Sequence, residues 1–449
     1  MIADDHHEVS KSYRNSEVST MNSTQNKKLE QVKSTTMVIG IDIGSETHYA
    51  RAFDWRGYEF SKKAFRFNNT EHGFAGLLKW MRNIKEEQGS EDILAGMEPT
   101  GHYWFCLGVF LKENGIKPVL VNPHHVKKSK ELDDNSQSKN DRKDPKVIAG
   151  LVKDGRFTEP YMPEGVYAEL RTASNMRFRI ESELTSVKNR LARWFSMYFP
   201  EYSEVYGKAD AISGLMVLKV APLPEDIIEL GIDGINQIWR KAKLRAVGIK
   251  KATSLVEAAK RSIGLRSGGE AARLEFSILL EDYDSKLRRQ DEIMSLIEKL
   301  MDEIPEAKKL LEIKGIGMKT VSGFLAEVGD VRRFKDPKQL QKYAGLAIVD
   351  NSSGKHKGKT TISRRGRKRL RYLLFEAAMS LAATNAEFRQ IHRYYTTREN
   401  NPLKKMQSLI AIGCKLIRVF YVLLTKDVRY DAEKFLGDIR RESANMLAA

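Results

Sequence analysis

The order in which short strands and helices follow one another between residues 37 and 155 restricts the fold of this chain more than any other feature. Residues 37–42 (MVIGID) form a short β-rich apolar run. Residues 47–53 and 59–67 read as two further strands, with the turn residues Asp54 and Gly57 between them. Thr70, followed by Gly73 and an apolar set at Phe74, Leu77, Leu78 and Met81, predicts a capped amphipathic helix. A fourth strand is expected over 93–97, a helix over 103–112 stopped by Asn114-Gly115, and a fifth strand over 117–121. Residues 122–143 read as a polar loop, and a third helix opens near Asp144-Pro145 and ends by Gly155. Strands that can hairpin together, followed by alternating helix and strand, predict a mixed sheet with helices on both faces.

That order is the one found in α/β domains of the ribonuclease-H-like class. It sets strands one and four side by side, so Asp42 and Glu98, at their ends, would project from one edge of the sheet. Asp141 and Asp144 stand three residues apart at the start of the last helix and can share a face. Each acid alone reads equally as a turn or helix cap. Pro145 disfavours helical backbone at Asp144, which makes Asp144 a candidate cap with Asp141 one turn earlier. Brought together, the carboxylates repel and raise one another's pKa, and a hard divalent cation relieves that. An all-oxygen site suits Mg²⁺ or Mn²⁺, and two such ions can activate an attacking oxygen and stabilise a leaving oxygen of a phosphodiester.

The charge supplies the substrate class. Lys plus Arg number 76 against 59 Asp plus Glu, a net +17, which favours nucleic acid first and an anionic membrane surface second. Part of the excess is concentrated at Lys355, Lys357, Lys359, Arg364, Arg365, Arg367, Lys368, Arg369 and Arg371, with no acid among them, as phosphate neutralisation requires. Gly315-Ile316-Gly317, with Lys319 and Thr320, resembles a helix-hairpin-helix turn, whose backbone N–H groups can approach a phosphate. Ser352-Ser353-Gly354 adjoins the basic stretch, with no obvious histidine base nearby.

Other classes are disfavoured. Cys106 and Cys414 cannot build a disulfide framework or a Cys-rich zinc site, so a reducing, cytoplasmic setting is expected. The apolar stretch 406–424 is interrupted by Lys415 and Arg418, so no membrane span is expected. Residues 1–36 lack the apolar core of a signal peptide and read as a flexible extension.

The expected organisation is a catalytic domain over 37–158, a helical coiled-coil region over 159–303, a mainly α C-terminal domain over 304–430 and a tail over 431–449. Two heptad seams support the middle region. One runs through Leu170, Ala173, Arg177, Ile180, Leu184, Val187, Leu191, Trp194 and Tyr198, the other through Phe276, Leu280, Tyr283, Leu287, Gln290, Met294, Ile297 and Met301. They fit two long helices packed within one chain and a dimerising coiled coil equally well.

These segments together resemble a known family. GIDIG with Asp42, MEPTGHYW with Glu98, KNDRKDPKVIAGLV with Asp141 and Asp144, and the later IKGIGMKTVSGFLAEVGD, YAGL, SSGK and ISRRGRKRLRYLL are similar to motifs of the DEDD transposases of bacterial insertion sequences, a family that includes bridge-RNA-guided recombinases. The resemblance implies that the four acids form a RuvC-like Mg²⁺ site. It implies that Ser353, with Ser352 adjacent, is a nucleophile that links covalently to DNA in a site composed with the acids. It implies multimer assembly through the middle helices, as a dimer or a tetramer on DNA. It also implies a structured guide RNA that pairs with donor and target DNA at the bacterial nucleoid. Three departures stand out: the extension 1–36, Pro145 where a small helix former is common, and a single Gly before Lys355. Three other functions compete, one of them a binding module that keeps RNA and DNA affinity without catalysis, against which the four intact acids argue. GIDIGSETHYARAFD resembles the phosphate loop of sugar kinases and actin-like ATPases, but no second Asp-Gly phosphate motif follows. A Holliday-junction-type metal nuclease would use the same acids without a covalent step.

Overall fold

The computed structural model describes residues 25–61, 63–133, 144–349, 352–353, 356–358, 360–426 and 428–437. The chain divides into two units, Met1–Met162 and Pro163–Ala449.

The first unit is built on strand β1 (Thr36–Asp42), whose backbone is buried on both sides. That explains its continuous apolar run. β2 (Thr47–Phe53) and β3 (Phe65–Asn68) add antiparallel on one side, and β4 (Asp92–Met97) and β5 (Lys117–Val121) add parallel on the other. β6 (Phe157–Thr158) closes the edge, giving the order β3-β2-β1-β4-β5-β6. This mixed sheet fits a ribonuclease-H-like domain. The third strand is shorter than the expected 59–67, because Glu59 makes only an isolated bridge to Phe53.

Period-two alternation assigns the two faces. Met37, Ile39 and Ile41 pack with α1 (Glu71–Glu87) and α2 (Trp104–Glu113). The Thr70 side chain caps α1 by accepting from the Gly73 N–H, as its sequence predicts. Val38, Leu94 and Val119 pack on the opposite face with α4 (Asp144–Lys153). Between β5 and α4 lies α3 (Pro123–Asp133), where the sequence predicts a loop. Residues of the expected extension dock on this unit: Lys28 Nζ donates to the Phe157 carbonyl at 2.5 Å, and Lys117 Nζ to Gln31 Oε1 at 3.0 Å. Residues 1–24 lie outside the described residues.

The second unit is helical. α5 (Gly165–Tyr198) and α10 (Gly269–Asp302) lie antiparallel. Trp194 donates to the Ala272 carbonyl and lies tilted against Phe276, Arg190 reaches Asp282, and Lys286 pairs with Glu183. The two heptad seams thus meet within one chain. Between these helices runs an insert of α6 (Tyr202–Tyr206), α7 (Ile212–Leu218), α8 (Pro224–Lys241) and α9 (Ile249–Lys260). The insert is tied at its neck, where the Leu265 N–H donates to the Met197 carbonyl at 2.9 Å.

α11 (Ala307–Leu311), α12 (Met318–Val328) and α13 (Pro337–Ala344) follow, the last capped by the Asp336 side chain with Pro337 at its start. Short strands β7 (Ile348–Val349), β8 (Ser352–Ser353), β9 (His356–Lys357) and β10 (Thr361–Ile362) form two hairpins. α14 (Lys368–Thr384), α15 (Ala386–Thr397) and α16 (Lys405–Thr425) complete the unit. α16 is long and apolar enough to cross a membrane, but here Ile412, Leu416, Ile417 and Phe420 are fully buried in the protein core. One apolar cluster extends from Leu170 to Leu436, so the expected boundary at 303 runs inside a shared core.

Candidate active site

Three of the four acids fall on described residues, and the first unit brings them to one edge. Ile41 pairs with Met97 across parallel strands, so Asp42, which ends β1, and Glu98, which follows β4, leave the sheet side by side. The alternation that turns Val38 and Leu94 toward α4 carries both acids to that face.

Asp144 is the first residue of α4 and is only 7% exposed. Its position is set by two register partners, Gly40 and Gly96. A Cβ on Gly40 would stand 1.8 Å from the Pro145 carbonyl oxygen, and one on Gly96 would stand 2.3 Å from Val152 Cγ2. The helix therefore lies directly on the backbone of both strands. Pro145 sits in the first turn, where its missing N–H leaves no bond unmade.

The electrostatics of the edge are shared. Lys130 of α3 forms an ion pair with Asp144. Burial pushes the Glu98 carboxyl above its ordinary range, the Lys130 ammonium opposes that shift, and the charge of Asp144 reinforces it. Asp42 is half-buried. Asp141 lies outside the described residues. Among the described residues no three carboxylate, imidazole or thiol groups converge closely enough to hold a metal ion. The donor chemistry nevertheless fits a divalent cation. The acids offer oxygen only, burial disfavours the charge on Glu98, and a cationic side chain already rests on Asp144. Sequence reasoning misses Lys130 because 122–143 reads as a loop.

In the second unit, β8 pairs antiparallel with β9, setting Ser353 opposite His356. A histidine therefore does stand near the serine in register, three residues on, contrary to the sequence expectation. Gly354 and Lys355, between them, and Lys359 lie outside the described residues. Lys357 ends β9.

The remaining basic positions separate by role. Arg367 Nε donates to Glu327 Oε2 at 2.8 Å, and Glu327 is buried. Arg371 donates to the carbonyls of Ala344 and Arg364 at 3.0 and 3.2 Å, closing the end of α13. Arg364, Arg365, Lys368 and Arg369 are exposed. Arg369 bonds Asn175 and lies 5.3 Å from the Phe178 ring centre. In the turn between α11 and α12, Gly315 adopts φ +94° and a Cβ there would meet Thr384 Oγ1 at 2.6 Å, so this glycine serves close packing. Gly317 caps α12 with open space around it, and Lys319 pairs with Glu181 at 3.1 Å.

A transposase family model of the DEDD type matches residues 39–200, and the model of the IS116/IS110/IS902 transposase family matches residues 307–395. The 44.8 kDa protein of insertion element IS116 from Streptomyces clavuligerus is 24% identical over 390 residues, covering 86% of this chain and 94% of that protein. The 43.6 kDa protein of insertion element IS110 from Streptomyces coelicolor is 21% identical, covering 67% of this chain and 74% of that protein. The transposase for insertion sequence element IS1111A of Coxiella burnetii is 31% identical over a shorter stretch, 22% of this chain and 28% of that protein.

Proposed function

The chain belongs to the DEDD transposases of bacterial insertion sequences, of the IS116/IS110/IS902 type, and from that membership we propose how it cuts and rejoins DNA. Asp42, Glu98, Asp141 and Asp144 hold Mg²⁺ or Mn²⁺. The observation that carries this reading is the common edge: Asp42 and Glu98 end neighbouring parallel strands, and α4 rests on Gly40 and Gly96 so that Asp144 starts beside them. A bound divalent cation would stabilise charge developing on the scissile phosphodiester.

The chain's own residues supply the rest. The hydroxyl oxygen of Ser353 attacks phosphorus and forms a serine phosphodiester. The bond to the leaving sugar oxygen breaks, and the hydroxyl proton ends on that oxygen. A sugar hydroxyl of the partner strand then attacks the serine ester, restoring the serine and joining the new strand. Exposed Arg364, Arg365, Lys368 and Arg369, with the turn at Gly317, hold the DNA backbone. A structured RNA encoded by the element selects donor and target, and a homo-oligomer, a dimer or tetramer on DNA, brings the sites together. The net charge of +17 and the family membership support both polyanionic partners.

The test is a recombination assay with the element's flanking noncoding RNA, Mg²⁺, and paired donor and target DNA, read on denaturing gels. A protein–DNA adduct is expected with the unaltered chain and with Ser352→Ala, and none with Ser353→Ala or Asp42→Ala. Cleavage that persists in Ser353→Ala but needs Asp42 would replace the covalent scheme with that of a metal nuclease.

A further inference from the structure

We propose that the turn joining α8 to α9 is a second anchor for a nucleic-acid backbone, separate in the sequence from the basic stretch after Ser353. Arg240, Lys241, Lys243, Arg245 and Lys250 are all exposed there. None of the five takes part in an ion pair among the described residues. The nearest acids along the chain are Asp233 and Glu257, each seven residues from the closest cation of the group. On a helix that is roughly 10 Å, about one Debye length at ~0.1 M salt. The charges are therefore uncompensated by their own elements.

Local stability accounts for only part of this group. Arg240 and Lys241 lie in the last turn of α8, where the helix dipole favours them. Lys250 lies in the first turn of α9; that turn contains no acid, and Gly248 caps the helix without a side-chain bond. A cation there opposes the dipole. Lys243 holds φ +56°, a left-handed backbone in which glycine or asparagine is the relaxed choice. Two positions thus carry lysine where the fold itself favours something else.

Lys251 supplies the contrast. It bonds the Val205 carbonyl and lies 4.8 Å from the Tyr206 ring centre, folded back into the insert. Three acids of the same region are engaged elsewhere: Glu204 with Arg261, Asp210 with Lys188, and Asp226 with Arg273. From Arg240 to Lys250 the chain carries five exposed positive charges and no acid, the chemistry that neutralises successive phosphates.

The proposal rests on the chain's action on nucleic acid, and its test separates the two. The full chain and a variant with Arg240, Lys241, Lys243, Arg245 and Lys250 all changed to Gln are titrated by fluorescence anisotropy. The probes are a random-sequence DNA duplex and an RNA stem-loop, each over a series of salt concentrations. The variant is expected to bind one or both probes at least 10-fold more weakly at ~0.1 M salt. On the duplex its log–log salt slope should become shallower by roughly 0.9 for each phosphate left unneutralised, or about two to four in all. The arm that changes identifies the backbone as DNA or RNA. A second variant, Lys243→Gly, should raise Tm while weakening binding, which a purely structural lysine would not do. If the unaltered chain binds and the slope is unchanged in both arms, this anchor is refuted while the transposase reading stands. If the unaltered chain binds neither probe, both fail.

Discussion

Gly40 and Gly96 face each other across β1 and β4, and the helix that opens with Asp144 lies in the trough they leave. The contact at Gly40 is with backbone, the Pro145 carbonyl and the Ala149 nitrogen, which cannot rotate away. The contact at Gly96 is with the Val152 and Ile148 side chains, which can. Gly40→Ala should therefore destabilise the first unit by about 1–3 kcal/mol, and Gly96→Ala by less. Urea unfolding of the two variants checks the order. DNA cleavage should be lost in Gly40→Ala because α4, and Asp144 with it, is displaced.

Lys130 forms an ion pair with Asp144. Lys130→Gln leaves that nearly buried carboxylate without its partner, so Tm measured in EDTA should fall, by the equivalent of about 1–2 kcal/mol given the partial exposure of the lysine. Added Mn²⁺ should then raise Tm more in Lys130→Gln than in the unaltered chain, because the cation no longer competes with an ammonium. An equal rise in both would show that Lys130 and the cation occupy different places.

Glu98 gives a pH-dependent prediction. Its folded pKa is raised, chiefly by burial. A carboxyl raised on folding favours the folded state while protonated, and that contribution is lost as pH climbs from the ordinary carboxylate value, about 4.3, through the folded value. In EDTA, Glu98→Gln should be more stable than the unaltered chain at pH 7, and the difference should close toward pH 4. Thermal melts across that range decide it, and a gap that widens on acidification would reverse the sign assigned to the group.

Arg367 and Arg365 sit two residues apart in the same basic stretch yet should behave differently. Arg367→Gln strips the buried Glu327 of its ion pair and should lower stability by about 1–3 kcal/mol. Arg365 is exposed, so Arg365→Gln should leave Tm unchanged and weaken DNA binding with a shallower salt dependence. Paired melts and binding titrations separate the two effects.

Much of the first unit can be read directly in the chain because β1, β4 and β5 leave short, mostly buried apolar runs and β2 alternates with period two. β2 and β5 fall where expected, and Asp42 and Glu98 land on neighbouring strand ends. α3 does not announce itself, since Val126 is the buried residue it offers between Pro123 and Lys130, and without an apolar stripe it reads as loop. That conceals Lys130. α15 is hidden for another reason: Asn385 ends α14 and, through its side chain, caps the next helix, so two helices meet without a loop. The partners of Arg367 and Arg371 lie on elements that no periodicity connects, so a uniform run of charge conceals residues that hold the fold. The heptad pattern shows two apolar seams but not their partner, because knobs and holes look alike whether the facing helix belongs to the same chain or another.

The hydrogen bond from Leu265 to Met197 closes the insert at the point where it leaves the long helical pair. The segment from α6 to α9 leaves and returns at that clasp, and the ion pairs Lys188–Asp210, Lys219–Asp284 and Arg273–Asp226 fasten it to α5 and α10. Because the entropy of closing a loop grows only with the logarithm of its length, such a segment can be lengthened or shortened away from those contacts at little expense to the stem. In this chain a change in length there can be absorbed without moving the helices on either side.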